Sequence, residues 1–411
     1  MAEPTTNTAD AIVIGCGVAG ASTAMQLANR GLKVIVIDRG MLGSGSTGRA
    51  TRAATAMLMG GIEIVRELER TTGSEIFVQT GSLRLAADEP RAAEIRDHVA
   101  MGKAIGFDID HMDRQQVAEM LPYMKCDDLI DACYCPTDGH LQPAELLAAY
   151  VQVARDAGVA FYPNTPMESL LTSGGKLTGI RAGGQEFIAP VVVNSTGPWS
   201  YLTAERCETR LPTAAIGHCY LTTQPQEGIP IDRRSPAIRD RGNRIYSRPE
   251  AGGLIVGCYE ADPPTYDMAT LDDDFDMSQV RAARNDIHVA TLIDAAQRRF
   301  PFLNERSAMS ITVGIMTFTP DGRPFCGRMP DIEGLFHCSG FCGHGIVQSP
   351  SIGRIMAELI VDGRSSYDIS EIEADRLFEE AELFDRKNVE RRCLETASSY
   401  YGAVAVTDGA K

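Results

Sequence analysis

Two kinds of apolar run follow one another along this chain. Residues 11–14 (Ala-Ile-Val-Ile) and 34–37 (Val-Ile-Val-Ile) are unbroken, β-branched runs, the pattern of strands buried on both faces of a parallel sheet, and residues 21–30 between them carry helical spacing. A further helical stretch closes near Thr72-Gly73. Beyond it the pattern shortens, predicting strands over 77–86 and 126–135 with helices over 90–105 and 114–120 between them. Asp138-Gly139 marks a turn and Pro143 opens a helix over 144–157. Residues 160–162 and 191–195 read as strands, with a hairpin of 178–181 and 186–188 between. Residues 214–260 alternate strand and turn, with strands at 216–222, 244–246 and 254–259. An acidic segment at 272–276 precedes a long helix over 280–299, strands at 310–317 and 335–338, and a helix over 352–361.

The first apolar run feeds directly into Gly15-Cys-Gly17-Val18-Ala19-Gly20, and the second ends on Asp38. Gly15 permits the tight strand-to-helix turn, Gly17 lets the backbone approach a pyrophosphate, and Gly20 lets helix and strand pack closely. Asp38 stands 18 residues beyond Gly20, close to the spacing at which a carboxylate takes two ribose hydroxyls and repels a 2′-phosphate. Such a unit serves FAD and NAD alike; its place at the start of the chain, unrepeated, favours FAD. The economical fold is α/β (α+β), with a discontinuous Rossmann-like cofactor domain over 8–80, 138–213 and 312–365. Into it is inserted a mixed-sheet substrate domain over 81–137 and 214–311, and a charged helical tail over 366–411 follows. A pocket is expected where the two domains meet.

Composition narrows the class. Of 411 residues, 44% are hydrophobic and 23% charged, with a net charge of −16, a balance of a globular protein that argues against a nucleic-acid partner. The opening residues lack a basic and apolar leader, and no apolar run reaches the ~18 residues of a membrane span, so a cytoplasmic location is expected. Eleven cysteines include no CxxC pair, so neither a disulfide framework nor a metal site is expected. Cys133 and Cys135 are expected to face opposite ways from one strand.

Three separated motifs, Val193-Asn-Ser-Thr-Gly-Pro-Trp199, Thr319-Pro-Asp-Gly-Arg-Pro324 and Gly340-Phe-Cys-Gly-His-Gly-Ile346, accompany the N-terminal unit. Together they resemble the D-amino-acid-oxidase and sarcosine-oxidase superfamily of FAD amine oxidoreductases, to about residue 370. Ser46-Thr47-Gly-Arg49 is similar to a loop of the sarcosine oxidase β subunit, whereas the stretch from Arg244 to Glu260 is more similar to dimethylglycine and sarcosine dehydrogenases. The resemblance implies FAD-dependent oxidation of a secondary or tertiary amine, such as sarcosine or dimethylglycine, by hydride transfer to flavin N5, giving an imine that hydrolyses. The alternatives are another FAD amino-acid oxidase or dehydrogenase (acting on a D-amino acid, glycine, proline or an opine) and a non-catalytic, flavoprotein-like regulatory subunit. Arg49 and Gly314 stand where relatives bond flavin through histidine or cysteine, so FAD is expected to be non-covalent. Val347 replaces a carboxylate-binding lysine, and formaldehyde capture by a folate-type domain within these residues is not expected.

The chemistry then sets the candidate site. Removing hydride from carbon beside nitrogen requires an unprotonated amine, and the reduced flavin needs its anion stabilised. Gly340, Gly343, His344, Gly345 and Ile346 are expected to form an anion-binding nest before a helix. By the resemblance, Gly15, Gly17, Val18, Ala19, Gly20, Asp38, Arg39, Ser46, Thr47, Arg49, Ala50, Thr51, Met167, Gly197 and Gly314 complete the cofactor contacts. His218, Tyr246 and Arg52 are the expected catalytic residues, with His218, Tyr246, Arg248 and His344 facing substrate. Trp199 is expected to pack beside the cofactor. Electrons leave to oxygen or to an electron-transfer partner; the segment from Gly257 to Pro264 carries no oxygen-activating lysine, which favours the latter. A homo-oligomer or a partner subunit is left open.

Overall fold

The computed structural model describes residues 7–43, 55–174, 176–271, 287–303 and 309–401. The β-branched runs build a six-stranded sheet in the order Phe325–Arg328, Leu335–Ser339, Val191–Asn194, Ala11–Ile14, Val34–Ile37, Ala160–Tyr162, parallel apart from the first strand. Its central strands are apolar at every position because both faces are covered. Helices Val18–Asn29, Thr55–Thr72, Pro143–Asp156 and Gly345–Val361 lie over one face, and a four-stranded sheet that includes Met167–Ser173 and Lys176–Ala182 backs the other. The parallel strands therefore deliver their C-terminal ends, followed by Gly15, Asp38, Ser195 and Gly340, to one edge, which is where ligands bind in such sheets.

A nine-stranded sheet carries the rest of the site. Its order runs Thr265–Tyr266, Ala214–Thr223, Gly253–Cys258, Ile245–Glu250, Ala237–Asp240, Ser82–Ala86, Asp131–Cys135, Asp110–Met112, with Met309–Phe318 on the free side of Ala214–Thr223. Strict alternation divides it. Leu83, Leu85, Ala132, Cys219, Leu221, Ile238, Ile245, Leu254 and Val256 face helices Arg114–Met120 and Ile287–Arg299 and form one apolar core. Asp240 also points into that core, where Arg299, 1% exposed, donates to it from Nε at 2.6 Å and to Asp128 at 2.8 and 3.0 Å.

Several expectations are corrected. The strand expected over 77–86 is two, Phe77–Gln79 and Ser82–Ala86, because Gly81 has φ +78° and turns the chain into a different sheet. Of 126–135 only Asp131–Cys135 is strand. Cys133 and Cys135 share a face, since their partners Arg84 and Ser82 also alternate by two. The helix expected from 352 starts at Gly345 and contains Pro350. Proline leaves the Ile346 carbonyl without its helical donor, and the Ser349 hydroxyl donates to it instead at 3.0 Å. The tail is turns to residue 380, then a short 3₁₀ turn Ala381–Phe384 and the helix Arg386–Tyr401. Met309–Phe318 pairs along its whole length with Ala214–Thr223, so a domain limit at 312 passes through a strand.

Candidate active site

At the dinucleotide end, the glycines are required by the protein's own packing. Gly15 has φ +97°, and a Cβ there would stand 2.5 Å from the Ser195 carbonyl oxygen; at Gly20 it would stand 2.0 Å from that of Gly15. The helix Val18–Asn29 begins at Gly17 with no side-chain cap and no acidic residue in its first turn. That leaves a positive helix end for an anion. Asp38 is positioned by the Cys16 and Gly40 N–H groups, which donate to its two oxygens at 2.6 and 2.9 Å. A carboxylate offers about four acceptor sites, so two remain for hydroxyls. Burial raises its pKa against these hydrogen bonds and the Arg39 charge.

Arg39 lies over the Trp199 ring at 4.6 Å, and Trp199 Nε1 is buried without an acceptor among the described residues. Gly197 has φ +57°, and the Ser339 hydroxyl donates to its carbonyl at 3.4 Å. The Met167 side chain is buried in the core, while its carbonyl accepts from Arg206 at 2.9 Å. Ser46, Thr47, Arg49, Ala50, Thr51 and Arg52 lie outside the described residues.

The glycine-histidine-glycine turn is only partly the nest expected. Gly340, Cys342 and Gly343 have φ of +79°, +48° and +81°, but the N–H of Cys342 donates to Thr317 and that of His344 to Phe341. The anion-facing capacity falls to the uncapped start of the helix from Gly345. Ile346 turns its side chain into the core. His344 is 3% exposed; burial, and then the nearby Arg239 charge, push its pKa down to about 3. It is therefore neutral at physiological pH.

His218 and Tyr246 come together across two strands, with a third partner that sequence reasoning passed over. His218 Nδ1 is 2.7 Å from Glu260 Oε2, and Nε2 is 2.8 Å from the Tyr246 hydroxyl. The Cys219 N–H donates to the second Glu260 oxygen at 2.8 Å. Burial would raise the Glu260 pKa, but the His218 charge and these hydrogen bonds outweigh it and hold it low. An ionised carboxylate only accepts, so the shared proton sits on Nδ1; in the neutral ring Nε2 then accepts from the Tyr246 O–H.

Glycines make this chain of bonds possible. Gly314 is the cross-strand partner of His218 and leaves its face open. Gly257 lies between the strands of His218 and Tyr246, and a Cβ there would meet Tyr246 Cζ at 2.1 Å. Sulfur atoms of Cys219 and Cys258 lie within 4.8 Å of a Glu260 oxygen, but hydrogen bonding with Cys219 and burial hold the Cys258 thiol well above its usual pKa, which keeps it protonated. Arg248 is engaged by Glu250, next but one on its own strand, and by the Pro249 carbonyl.

Residues 10–359 match the family model for FAD dependent oxidoreductases, DAO. This chain is a DAO-family FAD-dependent oxidoreductase. The oxidoreductase is 27% identical over 385 residues to mitochondrial sarcosine dehydrogenase of Homo sapiens, covering 89% of this chain but 41% of that one. It thus spans less than half of that relative. It is 26% identical over 384 residues to glycine oxidase of Geobacillus kaustophilus, covering 88% and 95% of the two chains. Among solved structures, L-proline dehydrogenase from P. horikoshii superposes with a TM-score of 0.78 at 22% identity, over 91% of this chain and 98% of that one.

The oxidoreductase uses FAD, and its residues fit the group: an uncapped helix start, a carboxylate with acceptors to spare, and an indole N–H with no partner among the described residues. No described helix is long and apolar enough to cross a membrane. Glu260 was legible only as one acid in a strand-end stretch; its signal was the two-residue step from Cys258 that ends a strand beside His218.

Proposed function

We propose that the oxidoreductase oxidises a secondary or tertiary amine, an N-methyl or N-alkyl amino acid such as sarcosine or dimethylglycine. The Tyr246–His218–Glu260 chain carries this reading, because it provides what such an amine needs before it can react. FAD, when bound, would accept the hydride; Gly15, Gly17 and Asp38 would hold its nucleotide end, and Gly314, His344 and Gly345 would hold its ring. Tyr246 presents its hydroxyl to the substrate ammonium, whose proton passes through the hydroxyl to His218 Nε2. Glu260 stabilises the imidazolium that forms, holding Nδ1–H as it did before the transfer. His344, neutral and buried, adds no charge that would compete with the ammonium.

In this reading the six-stranded sheet belongs to the cofactor domain and the polar face of the nine-stranded sheet to the substrate domain, with their junction enclosing the reacting atoms. Anaerobic mixing of the FAD-loaded protein with sarcosine, dimethylglycine, D-alanine, glycine and proline tests it. Bleaching by the N-methyl substrates is expected, and reduction by primary amines alone overturns the assignment. Re-admitting oxygen then separates direct reoxidation from delivery to an electron-transfer partner.

A further inference from the structure

Cys219 and Cys258 face each other across two antiparallel strands, one step beyond the last paired residues, Tyr220 and Gly257. Their sulfur atoms are 3.7 Å apart. Both side chains are 4% exposed, and the Glu260 carboxylate, in a residue 8% exposed, closes a third side. A Glu260 oxygen and the two sulfurs lie within 4.8 Å of one another. Two thiols and a carboxylate are the donor set of a borderline-soft cation: Zn²⁺ takes sulfur and oxygen together, whereas Mg²⁺ and Ca²⁺ require oxygen throughout. Around a tetrahedral zinc, with sulfur at about 2.3 Å and oxygen at about 2.0 Å, neighbouring ligand atoms stand about 3.5–3.8 Å apart. The two sulfurs already hold that spacing. No local spacing announces the pair, because its cysteines are 39 residues apart and meet through strand register. Cys326 and Cys338 are also cross-strand partners, but among the described residues no third donor joins them.

We infer that Cys219, Cys258 and Glu260 form a zinc site whose occupation switches off the Tyr246–His218–Glu260 chain. The site stands on the strand pairing and the donor set; only its effect on turnover rests on the amine-oxidation reading. Binding forms two zinc–sulfur bonds and one zinc–oxygen bond, breaks two S–H bonds and releases two protons to solvent, with no change of oxidation state. A zinc ion with two thiolates is neutral as a unit. The filled site therefore buries the single negative charge of Glu260 that the protein already holds, so burial sets no new net charge against it. Glu260 accepts from His218 and from the Cys219 N–H, and a carboxylate has lone pairs left for a cation. Once shared with zinc, its charge no longer stabilises an imidazolium at His218, which stops accepting the substrate proton. The way in is short, since Ala261 and Asp262, directly after Glu260, are exposed.

The test titrates Co²⁺, a spectroscopic stand-in for zinc, into the FAD-loaded protein with its thiols reduced. Binding of a single ion is expected, with the d–d bands of a tetrahedral thiolate complex at longer wavelengths than oxidised flavin absorbs, and Zn²⁺ displaces it. Cys258→Ala, outside the relay, abolishes the bands and keeps the basal reduction of flavin by sarcosine; Cys326→Ala keeps both. Zn²⁺ slows that reduction by about 100-fold or more in the wild type, the share of a general base, and leaves Cys258→Ala unaffected. If Cys258→Ala does not fold, Cys258→Ser removes the sulfur at nearly constant volume and is read in the same way. Absent tetrahedral bands in the wild type, bands that survive the Cys258 variants, or bands lost equally in Cys326→Ala overturn the site. Cobalt and zinc binding that leaves sarcosine-driven reduction unaltered overturns the switch. If sarcosine and dimethylglycine leave the flavin oxidised without any metal while the bands still depend on Cys258, the amine assignment fails and the metal site stands.

Discussion

Arg239 and Asp240 are neighbours on one strand and point to opposite faces of one sheet. On the apolar face Asp240 meets Arg299, which also donates to Asp128, and Asn243 donates to Asp240. On the polar face Arg239 stands beside Arg84, and among the described residues neither has a carboxylate within ion-pair distance. Breaking a buried, fully paired charge is costly, whereas a half-buried charge set beside a like one marks a candidate functional position. The contrast separates structural from functional charge without appeal to residue type, since arginines serve both.

The contrast is broken most forcefully at Arg299. Arg299→Met leaves Asp240 and Asp128 without their partner and should cost about 3–5 kcal/mol in urea unfolding, with amine oxidation per folded molecule unchanged. Removing Asp240 as well, as Asp240→Leu, should recover much of that loss. On the polar face the cost should appear in turnover. Glu260→Gln no longer fixes Nδ1–H or stabilises the imidazolium, so kcat/KM should fall about 100-fold or more with its pH profile displaced. An unchanged profile would remove the relay from the mechanism.

Acid sharpens the comparison next. His344 beside Arg239, at about 3, and His140 beside Arg248, at about 4, are both depressed from 6.5 by burial first and the arginine charge second. The unfolded chain takes up protons below pH 6.5 that the folded chain refuses, so their stabilising effect is present above 6.5 and is lost as pH falls towards 4 and 3. At pH 5 each should cost about 2 kcal/mol relative to neutral pH, measurable as a fall in Tm that His140→Phe reduces. The smallest effect is expected at Arg84 itself. Arg84→Met relieves the repulsion with Arg239, so stability should move by no more than about 0.5–1 kcal/mol, and upwards if at all.

Much of the six-stranded sheet was legible in the sequence because burial on both faces writes a continuous apolar run, and Gly20 is demanded by a contact within a few residues of the first strand, the Gly15 carbonyl. The nine-stranded sheet was harder to read. Ala237–Asp240 is four residues long, follows Pro236 and alternates only once, so the strand that carries Arg239 left no periodic trace. Arg84 sat in view between Leu83 and Leu85, an alternation that places it on the polar face, but its neighbour across the sheet is fixed by parallel pairing with a strand some 150 residues away. His218 and Tyr246 were found by resemblance; their bond through Glu260 depends on a register no local pattern encodes. Pro350 hid the first turn of its helix because the compensating donor, Ser349, is a side chain.

Gly257 bears on how the activity of related chains is to be judged. It has no functional group, touches no proton and would be passed over in any inventory of catalytic chemistry. Yet a single added methyl there overlaps the Tyr246 ring and displaces its hydroxyl from His218. A lineage that kept the histidine, the tyrosine and the glutamate but acquired alanine at this position would look intact and turn over poorly. The decisive letter for inheritance of function here is the one that encodes empty space.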